Sequence, residues 1–377
     1  MEVRIKLESV SPVSWGGYDS SSDPLIVRIP SIRGSMRRWY RWYLASKREC
    51  LEKGFPDHKT IRSEEEKVFG GIHGDKASAS RIRLYFDSLE DREAMTLSGK
   101  DPFLWPLRGS SKEFHMIEFD LVIEERRFKL QKGIEELEKE GDFCPVLEGV
   151  KALALNVTLG GFGYRSARGY GSFRVSDYEV RMKPEDSGSE KPHKCGEKIE
   201  NILRMTKEAN TTPNPTEWIN STEELLRNLG VEACKEHQFW EIQNLSNAYL
   251  VTMTGTWHWR NTLRELERRI RNVERALRAV RRNQTDFRVL LGSPVLDPFG
   301  RRPYKWKARR ASPLLFGLSG KGAVFVRGVL MLSRDYPHSE DPLRDIMGHI
   351  DDKISEGFEK VLMELKRAGF RLERFEG

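Results

Sequence analysis

The sequence has few cysteines and no long apolar run, and each shortage excludes a class of protein. Four cysteines are scattered over 377 residues, which argues against a secreted disulfide framework. No apolar run approaches the roughly 20 residues that a membrane-spanning helix needs, and the mean hydropathy is −0.60. The first ten residues, MEVRIKLESV, alternate and carry acids, unlike a signal peptide. We therefore expect a soluble, cytoplasmic protein without a membrane partner.

Familiar catalytic and metal-binding motifs are also missing. None of the eight histidines lies in an HExxH motif or an HD pair. His193 and Cys195 could form a zinc site with Cys234 and His237, but the spacing is loose and chance is the better explanation. We predict no cofactor, no metal site and no catalytic residue. Metal-free RNA cleavage needs only one or two acid–base groups, so His73 and His258 remain candidates under that alternative.

Positive charge is concentrated in two zones. The formal net charge is +7, yet residues 260–310 hold sixteen basic and five acidic residues, so the rest of the chain sums to −4. Residues 24–48 hold seven basic residues and no acid. Such clustering is typical of surfaces that bind a polyanion.

The pattern of elements predicts two halves of mixed α and β structure. Residues 2–8 alternate with the period of a half-buried strand. Further predicted strands cover 81–86, 114–123, 172–180, part of 239–257, and 323–332. Predicted helices cover 30–43, 63–69 (opened by a capping box at Ser63), 126–140, 146–159, 197–208, 260–282 and 341–368. The order β-α-β-β-α-β in the first half is a ferredoxin-like pattern.

The predicted fold class is therefore α+β, with two ferredoxin-like (RNA-recognition-type) domains in tandem and helical insertions. Residues 1–182 would form the N-terminal domain with a glycine-rich loop. Residues 183–235 would form a connecting helical segment, and 236–377 the C-terminal domain with a long basic helix.

The glycine-rich loop, GGFGYRSARGYGSF, is the first candidate site. Glycines allow a backbone to lie close to a ligand, so exposed N–H groups could cradle phosphate while arginines supply charge and tyrosines stack on bases. The loop matches neither a Walker loop nor a dinucleotide fingerprint, and a plain surface loop is the alternative. Its predicted RNA-binding residues are Gly161, Gly163, Tyr164, Arg165, Arg168, Gly169 and Tyr170.

The basic helix SIRGSMRRWYRWYL is the second candidate site. Arg33, Arg37 and Tyr40 fall on one face of the helix, and Arg38, Arg41 and Trp42 on the adjacent strip. Met36, Trp39 and Tyr43 are expected to pack inward, and because aromatic residues at helical spacing are usually core residues, we predict that the aromatic residues of this helix belong to the core. The predicted ligand-facing residues are Arg33, Arg37, Arg38 and Arg41.

The third candidate site is an arginine ridge on the helix predicted over 260–282. Apolar residues occupy one stripe and arginines the opposite arc. Like charges at i and i+4 destabilise a helix, so RNA or an acidic protein partner would relieve the repulsion; a solvated face is the third explanation. The following basic and aromatic loop suits single-stranded nucleic acid. The predicted RNA-binding residues are Arg264, Arg268, Arg271, Arg275, Arg301, Arg302, Lys305, Lys307, Arg309 and Arg310.

Two of these motifs resemble those of a known family. The glycine-rich loop, after a predicted helix and before a predicted strand, resembles the signature loop of the RAMP superfamily of CRISPR effector proteins. IPSIRGSMRRWYRWYL and the following EEEKVFGG resemble one branch, the first subunit of the Cmr (type III-B) RNA-targeting complex. The motifs span roughly residues 5–180.

This resemblance implies a subunit that binds RNA beside other Cmr subunits, near the 3′ end of the guide RNA, without a nuclease centre. It places weight on residues 160–172 and on Ile32, Arg33 and Gly34, which adds Gly34 to the RNA-binding residues. The second half departs from the family pattern because it has only scattered glycines in place of a full glycine loop.

We therefore expect a non-catalytic, antiviral-defence subunit that contacts guide RNA, target RNA or both through basic surfaces. One alternative is a metal-independent endoribonuclease that processes guide precursors, which requires an acid–base group. Another is an assembly subunit whose basic helix docks on an acidic protein. RNA binding with a steep salt dependence would favour the first reading over the last.

Overall fold

The computed structural model gives the fold in fifteen stretches of the chain. It describes residues 1–14, 28–47, 58–73, 76–98, 111–126, 143–163, 166–182, 190–233, 245–246, 248–256, 258–278, 291, 314–320, 323–331 and 354–375. Within these stretches the chain forms seven helices and ten strands. None of the described helices is both long enough and apolar enough to cross a membrane.

The first half builds a four-stranded antiparallel sheet with the order β4-β5-β1-β6. Its strands are β1 (Glu2–Ser9), β4 (Ile82–Ser98), β5 (Ser111–Glu125) and β6 (Phe173–Arg181), and its helices are α1 (Ile29–Leu44), α2 (His58–Phe69) and α3 (Pro145–Leu159). A small hairpin of β2 (Gly71–His73) and β3 (Lys76–Ser78) follows α2. Alternate residues of β1 are buried, as predicted, and pack in one core with Trp39 and Val150.

The second half builds another four-stranded antiparallel sheet, with the order β10-β7-β9-β8. Its elements are β7 (Ala248–Met253), α6 (Trp259–Leu277), β8 (Leu314–Ser319), β9 (Phe325–Met331), α7 (Ile354–Arg367) and β10 (Arg371–Arg374). Counted within its own half, each sheet places its strands in the order fourth, first, third, second.

Two helices between the sheets, α4 (Glu190–Thr211) and α5 (Pro215–Asn228), are packed rather than extended as a linker. Asn214 caps α5 by accepting a hydrogen bond from the Glu217 N–H at 3.0 Å. Trp218 of α5 lies in the same core as Leu250 of β7 and Phe325 of β9. The core of the first half therefore continues through these helices into the second sheet.

Several predicted boundaries were wrong for identifiable reasons. α2 begins at His58 rather than at the capping box of Ser63, which therefore lies inside the helix. The sequence pattern missed β8, because all its residues are buried and apolar and polar residues therefore do not alternate along it. It also missed α5 and the charged strand β10. The helix predicted over 126–140, the loop over 292–312 and residues 341–353 lie almost wholly outside the described residues.

Cys144 and Cys195 form a disulfide between the start of α3 and α4. This bond excludes the zinc site considered above, because Cys195 is already bonded. Among the described residues, no group of three or more metal-ligating side chains occurs.

Reduction of this disulfide is expected to lower the free energy of unfolding by about 2–4 kcal/mol, because the bond closes a loop of 51 residues and restricts the unfolded chain. Urea denaturation with and without dithiothreitol measures the difference. Cys144→Ser is the control, since its stability should not respond to the reductant. An unchanged wild-type midpoint would contradict the expectation.

A candidate nucleic-acid interface

The glycine-rich loop, residues 160–172, connects α3 to β6, and several of its N–H groups are already hydrogen-bonded. Phe162 N–H donates to the Gly171 carbonyl at 2.8 Å, Gly171 N–H to the Pro12 carbonyl at 3.0 Å, and Gly169 N–H to the Phe316 carbonyl at 3.1 Å. The prediction that the N–H of Gly169 helps to cradle phosphate is therefore wrong, and Gly161 is buried as well.

The loop instead joins the two halves of the protein. Phe316 of β8 donates its N–H to the Ala167 carbonyl at 3.2 Å, and Arg168 forms a parallel bridge with Phe316. The Leu318 N–H donates to Ser172 Oγ at 2.8 Å. Because β8 is the last strand of its sheet, the loop extends that sheet by a short pairing from the other half.

Tight packing explains why glycines recur in this loop. Gly171 has φ of +60°, and a Cβ there would overlap the Phe162 carbonyl oxygen. Gly169 has φ of +86°, and a Cβ there would lie 2.8 Å from Leu263 of α6. Both positions favour glycine through backbone conformation and close approach, so neither requires a ligand.

The loop side chains divide between the core and the surface. Tyr170 is 1% exposed and packs on Phe114 with 5.2 Å between ring centroids, so the prediction that it stacks on a base is wrong. Arg168 donates to Glu274 of α6 at 2.6 Å. Gly163 lies exposed at the tip. Tyr164 and Arg165 lie outside the described residues.

The arginines of α1 are partly engaged by α2. Arg37 and Arg41 both pair with the carboxylate of Glu65, whose side chain is fully buried, and Arg33 donates to the Phe69 carbonyl. The side chain of Arg41 is still 49% exposed. If these arginines bind a ligand, as predicted, they do so with guanidinium groups that already make contacts within the protein.

Arg38 of α1 lies over the ring of Trp42, 5.3 Å from its centroid. Its buried Nε has no hydrogen-bond partner in the structure as described, and burial lowers the pKa of its guanidinium. A buried, unpaired donor is costly, and because this nitrogen is shielded from solvent it is not itself a contact point for an external phosphate. Gly34 is exposed with open space around it.

The aromatic residues of α1 are core residues. Met36, Trp39 and Tyr43 are buried, as predicted. Tyr40 and Trp42 are buried as well, which confirms the prediction that the aromatic residues of this helix belong to the core. The hydroxyl of Tyr40 donates to Glu148 at 3.1 Å, and burial, followed by the nearby Glu148 charge, raises the pKa of Tyr40.

The arginine ridge of α6 is present as predicted, with the apolar stripe buried against the second sheet. The exposed charged side chains of this helix are Arg264, Arg268 and Arg275, while Arg271 is half-buried. The acids of the helix are engaged: Glu267 is buried, Glu274 pairs with Arg168, and Glu265 pairs with Arg268 and Arg269.

Glu265 of α6 binds two arginines, Arg268 at 2.5 Å and Arg269 at 2.7 Å. The hydrogen bond from Arg268, ahead of that from Arg269, lowers the pKa of Glu265 to about 2. Arg269 also donates to the carbonyls of Ala368 and Gly369 at the end of α7. Glu265 therefore stays ionised, and paired with these two arginines, down to acidic pH.

The structure brings two of the three predicted sites together. α6 packs against the glycine-rich loop through Leu263 and Leu266, both near Gly169, and through the pairing of Glu274 with Arg168. The basic loop that follows α6 in the sequence lies outside the described residues, and with it the predicted residues Arg301, Arg302, Lys305, Lys307, Arg309 and Arg310.

The histidine candidates gain no catalytic arrangement. His258 caps α6, with its Nδ1 accepting from the Arg260 N–H at 3.2 Å. The side chain of His73 is outside the described residues. Sequence reasoning missed two buried charges: Glu65, which had no visible signal, and Arg327, whose signal was a lone charge within the apolar stretch FVRGVLM.

A comparison with known proteins supports the resemblance drawn from the motifs. The family model of the RAMP superfamily matches residues 6–174, a span that contains both the basic helix and the glycine-rich loop. A search of curated proteins gave no match.

Solved structures extend the likeness of fold over nearly the whole chain. Cmr1 from Pyrococcus furiosus aligns with a TM-score of 0.56 at 19% identity, over 100% of this chain and 99% of Cmr1. A chain of the type III-B Cmr-beta complex bound to cognate target RNA aligns with a TM-score of 0.57 at 14% identity, over 96% and 99%. A chain of the same kind of complex with target RNA, AMPPnP and single-stranded DNA gives 0.60 at 14% identity, over 97% and 98%. The protein therefore shares the fold of Cmr1 over nearly its whole length.

Proposed function

We propose that this protein is a non-catalytic RNA-binding subunit of a type III-B (Cmr) effector complex, contacting guide RNA, in its 3′ region, or target RNA. The observation that carries the proposal is the outer face of α6. Arg264, Arg268 and Arg275 are its exposed charges, while the acids of the helix are buried or paired. Such a face is expected to attract the phosphate backbone with little sequence preference.

Two further features favour RNA over an acidic protein as the ligand of this face. The glycine-rich loop, in which Gly163 is exposed, lies beside α6 at Gly169. On α1, the side chain of Arg41 is 49% exposed although it pairs with Glu65. Guanidinium groups suit phosphate oxygens because they present several donors in a fixed plane.

The two halves would each be a ferredoxin-like, RNA-recognition-type domain. Both contain the succession β-α-β-β-α-β and the same strand order, fourth-first-third-second. In this proposal, α2 with the β2–β3 hairpin and the pair α4 and α5 are insertions in or between those domains.

The test replaces the three exposed arginines by Arg264→Glu, Arg268→Glu and Arg275→Glu. RNA affinity is expected to fall by a factor on the order of 10–100, and the dependence of log K on log salt to flatten by about 2, because each lost phosphate contact removes about 0.7 from that slope. Labelled single-stranded RNA is titrated at several salt concentrations in EDTA.

The control carries the same charge change elsewhere: Arg204→Glu, Arg227→Glu and Arg367→Glu, on α4, α5 and α7, all at least half exposed. This control should keep most of the affinity. Equal losses in both triple variants would contradict a specific role for α6. Shortened RNA on a denaturing gel would contradict the non-catalytic assignment, and no binding by the wild type would favour the assembly-subunit alternative.

A further inference from the structure

The β4–β5 hairpin of the first sheet has a character opposite to the rest of this basic protein. β4 is the last strand of its sheet, so one of its edges faces away from β5 along the whole of Ile82–Ser98. Nearly all residues from Asp87 to Thr96 are exposed, and Leu89 is one of two large hydrophobic residues exposed within the described part of the chain.

Acids dominate this edge. Between Asp87 and Thr96 there are four acids, Asp87, Glu90, Asp91 and Glu93, against the single base Arg92. On the paired strand β5, residues 113–120 add three more acids and a histidine but neither lysine nor arginine. A phosphate backbone would be repelled here, so this surface is unsuited to RNA.

Internal pairing accounts for only some of these acids. Asp91 accepts from the buried His115 at 2.9 Å, and Asp87 pairs with Arg4 at 2.8 Å. Arg92 is held by Glu8 and Glu118. Glu90 and Glu93, by contrast, make neither a hydrogen bond nor an ion pair within the described part of the chain, and both are exposed.

Resting on the proposed function, we propose that the outer edge of β4 docks an extended, basic segment of a neighbouring protein subunit, which adds to the sheet as a fifth strand. Main-chain groups of an open edge pair with any extended peptide. Glu90 and Glu93 select lysine or arginine on that segment, and Leu89 supplies an apolar contact. The protein thus has an RNA-facing side at α6 and a protein-facing side at β4.

No described strand pairs with the outer edge of β4, and an open edge of this length needs protection or a partner. Natural edge strands avoid association through lysine, proline, bulges or short length. β4 has two bulges, between Phe86 and Ser88 and between Asp91 and Glu93, but it is 17 residues long and has neither lysine nor proline. Its acids repel a second acidic edge, which disfavours pairing between two copies of this strand, while leaving it open to a basic partner.

The test is reconstitution of the type III-B complex from this chain, its purified partner subunits and guide RNA. Glu90→Lys with Glu93→Lys is compared with Glu197→Lys and Glu208→Lys, two exposed acids of α4 that give the same charge change. Incorporation is measured by co-migration in size-exclusion chromatography. We expect at least a tenfold weaker incorporation for the β4 variant and wild-type incorporation for the α4 variant.

Two measurements on the isolated β4 variant establish that it is intact: its melting temperature and its affinity for single-stranded RNA, which should not fall. Incorporation equal to wild type would overturn the inference, as would a homodimer of the wild type that the β4 variant abolishes. If the wild type binds RNA but never joins the complex, both proposals fail together. If the wild type joins the complex and the β4 variant joins it equally well, the docking proposal fails while the proposed function stands.

Discussion

Replacing the buried arginine of β9, Arg327→Met, is expected to lower the free energy of unfolding by about 2–4 kcal/mol. Arg327 is fully buried and donates to the carbonyls of Thr158 and Val157, in the last turn of α3, and to that of Leu318 at 3.2 Å. The last carbonyls of a helix lack partners within the helix, and a cation near them is stabilised by the helix dipole.

An opposing effect reduces the expected loss of folding stability in Arg327→Met without cancelling it. Burial lowers the pKa of Arg327, since desolvation of a charge without a carboxylate partner is unfavourable, and methionine would relieve that cost. However, methionine leaves the helix-end carbonyls buried and unsatisfied, and a smaller side chain leaves a gap. The unpaired acceptors and the gap together outweigh the relief.

Equilibrium denaturation in urea measures this effect. Arg367→Met is the matched control, because that side chain is 65% exposed and pairs only with Glu364 of its own helix; a change within about 0.5 kcal/mol is expected there. Arg327→Met with wild-type stability would show that the helix-end carbonyls find other partners.

The second large effect is expected at Glu65 of α2. Glu65→Gln should lower the free energy of unfolding by about 2 kcal/mol, because it removes the buried charge that Arg37 and Arg41 share. The loss stays below the range for fully buried pairs, since both arginines are partly exposed and can turn toward water. The same urea titration gives the value.

The control for this change is the neighbouring acid Glu64, which pairs with Lys67 at 2.8 Å and is 43% exposed. Glu64→Gln should change stability by less than about 0.5 kcal/mol. Equal effects of Glu64→Gln and Glu65→Gln would mean that the contact between α1 and α2 does not depend on the shared carboxylate.

Elements with one buried face were predictable from the sequence, and contacts between distant residues were not. Apolar residues alternate along β1 and recur every three or four positions along α6, because each element buries one side only. β8 escaped prediction because it is buried on all sides and therefore has no period. The pairing of Arg37 and Arg41 with Glu65 joins residues 24 and 28 apart, which no local pattern reveals.

The glycine-rich loop shows a different limit. The sequence located the loop correctly between a helix and a strand, but glycine serves equally where a backbone approaches a ligand and where it approaches another backbone. The described part of this loop is the second case. In the second half, the topological equivalent of the loop is the link from α7 to β10, at Ala368 and Gly369.

The joint between the halves also constrains when the molecule can be completed during its synthesis. The Val157 and Thr158 carbonyls are about 170 residues upstream of their donor, Arg327. At roughly 5–20 residues per second, a ribosome takes on the order of 10–30 s to cover that distance. During this interval the end of α3 and the loop after it lack their partners, so the first half waits, incompletely hydrogen-bonded, for the second to emerge.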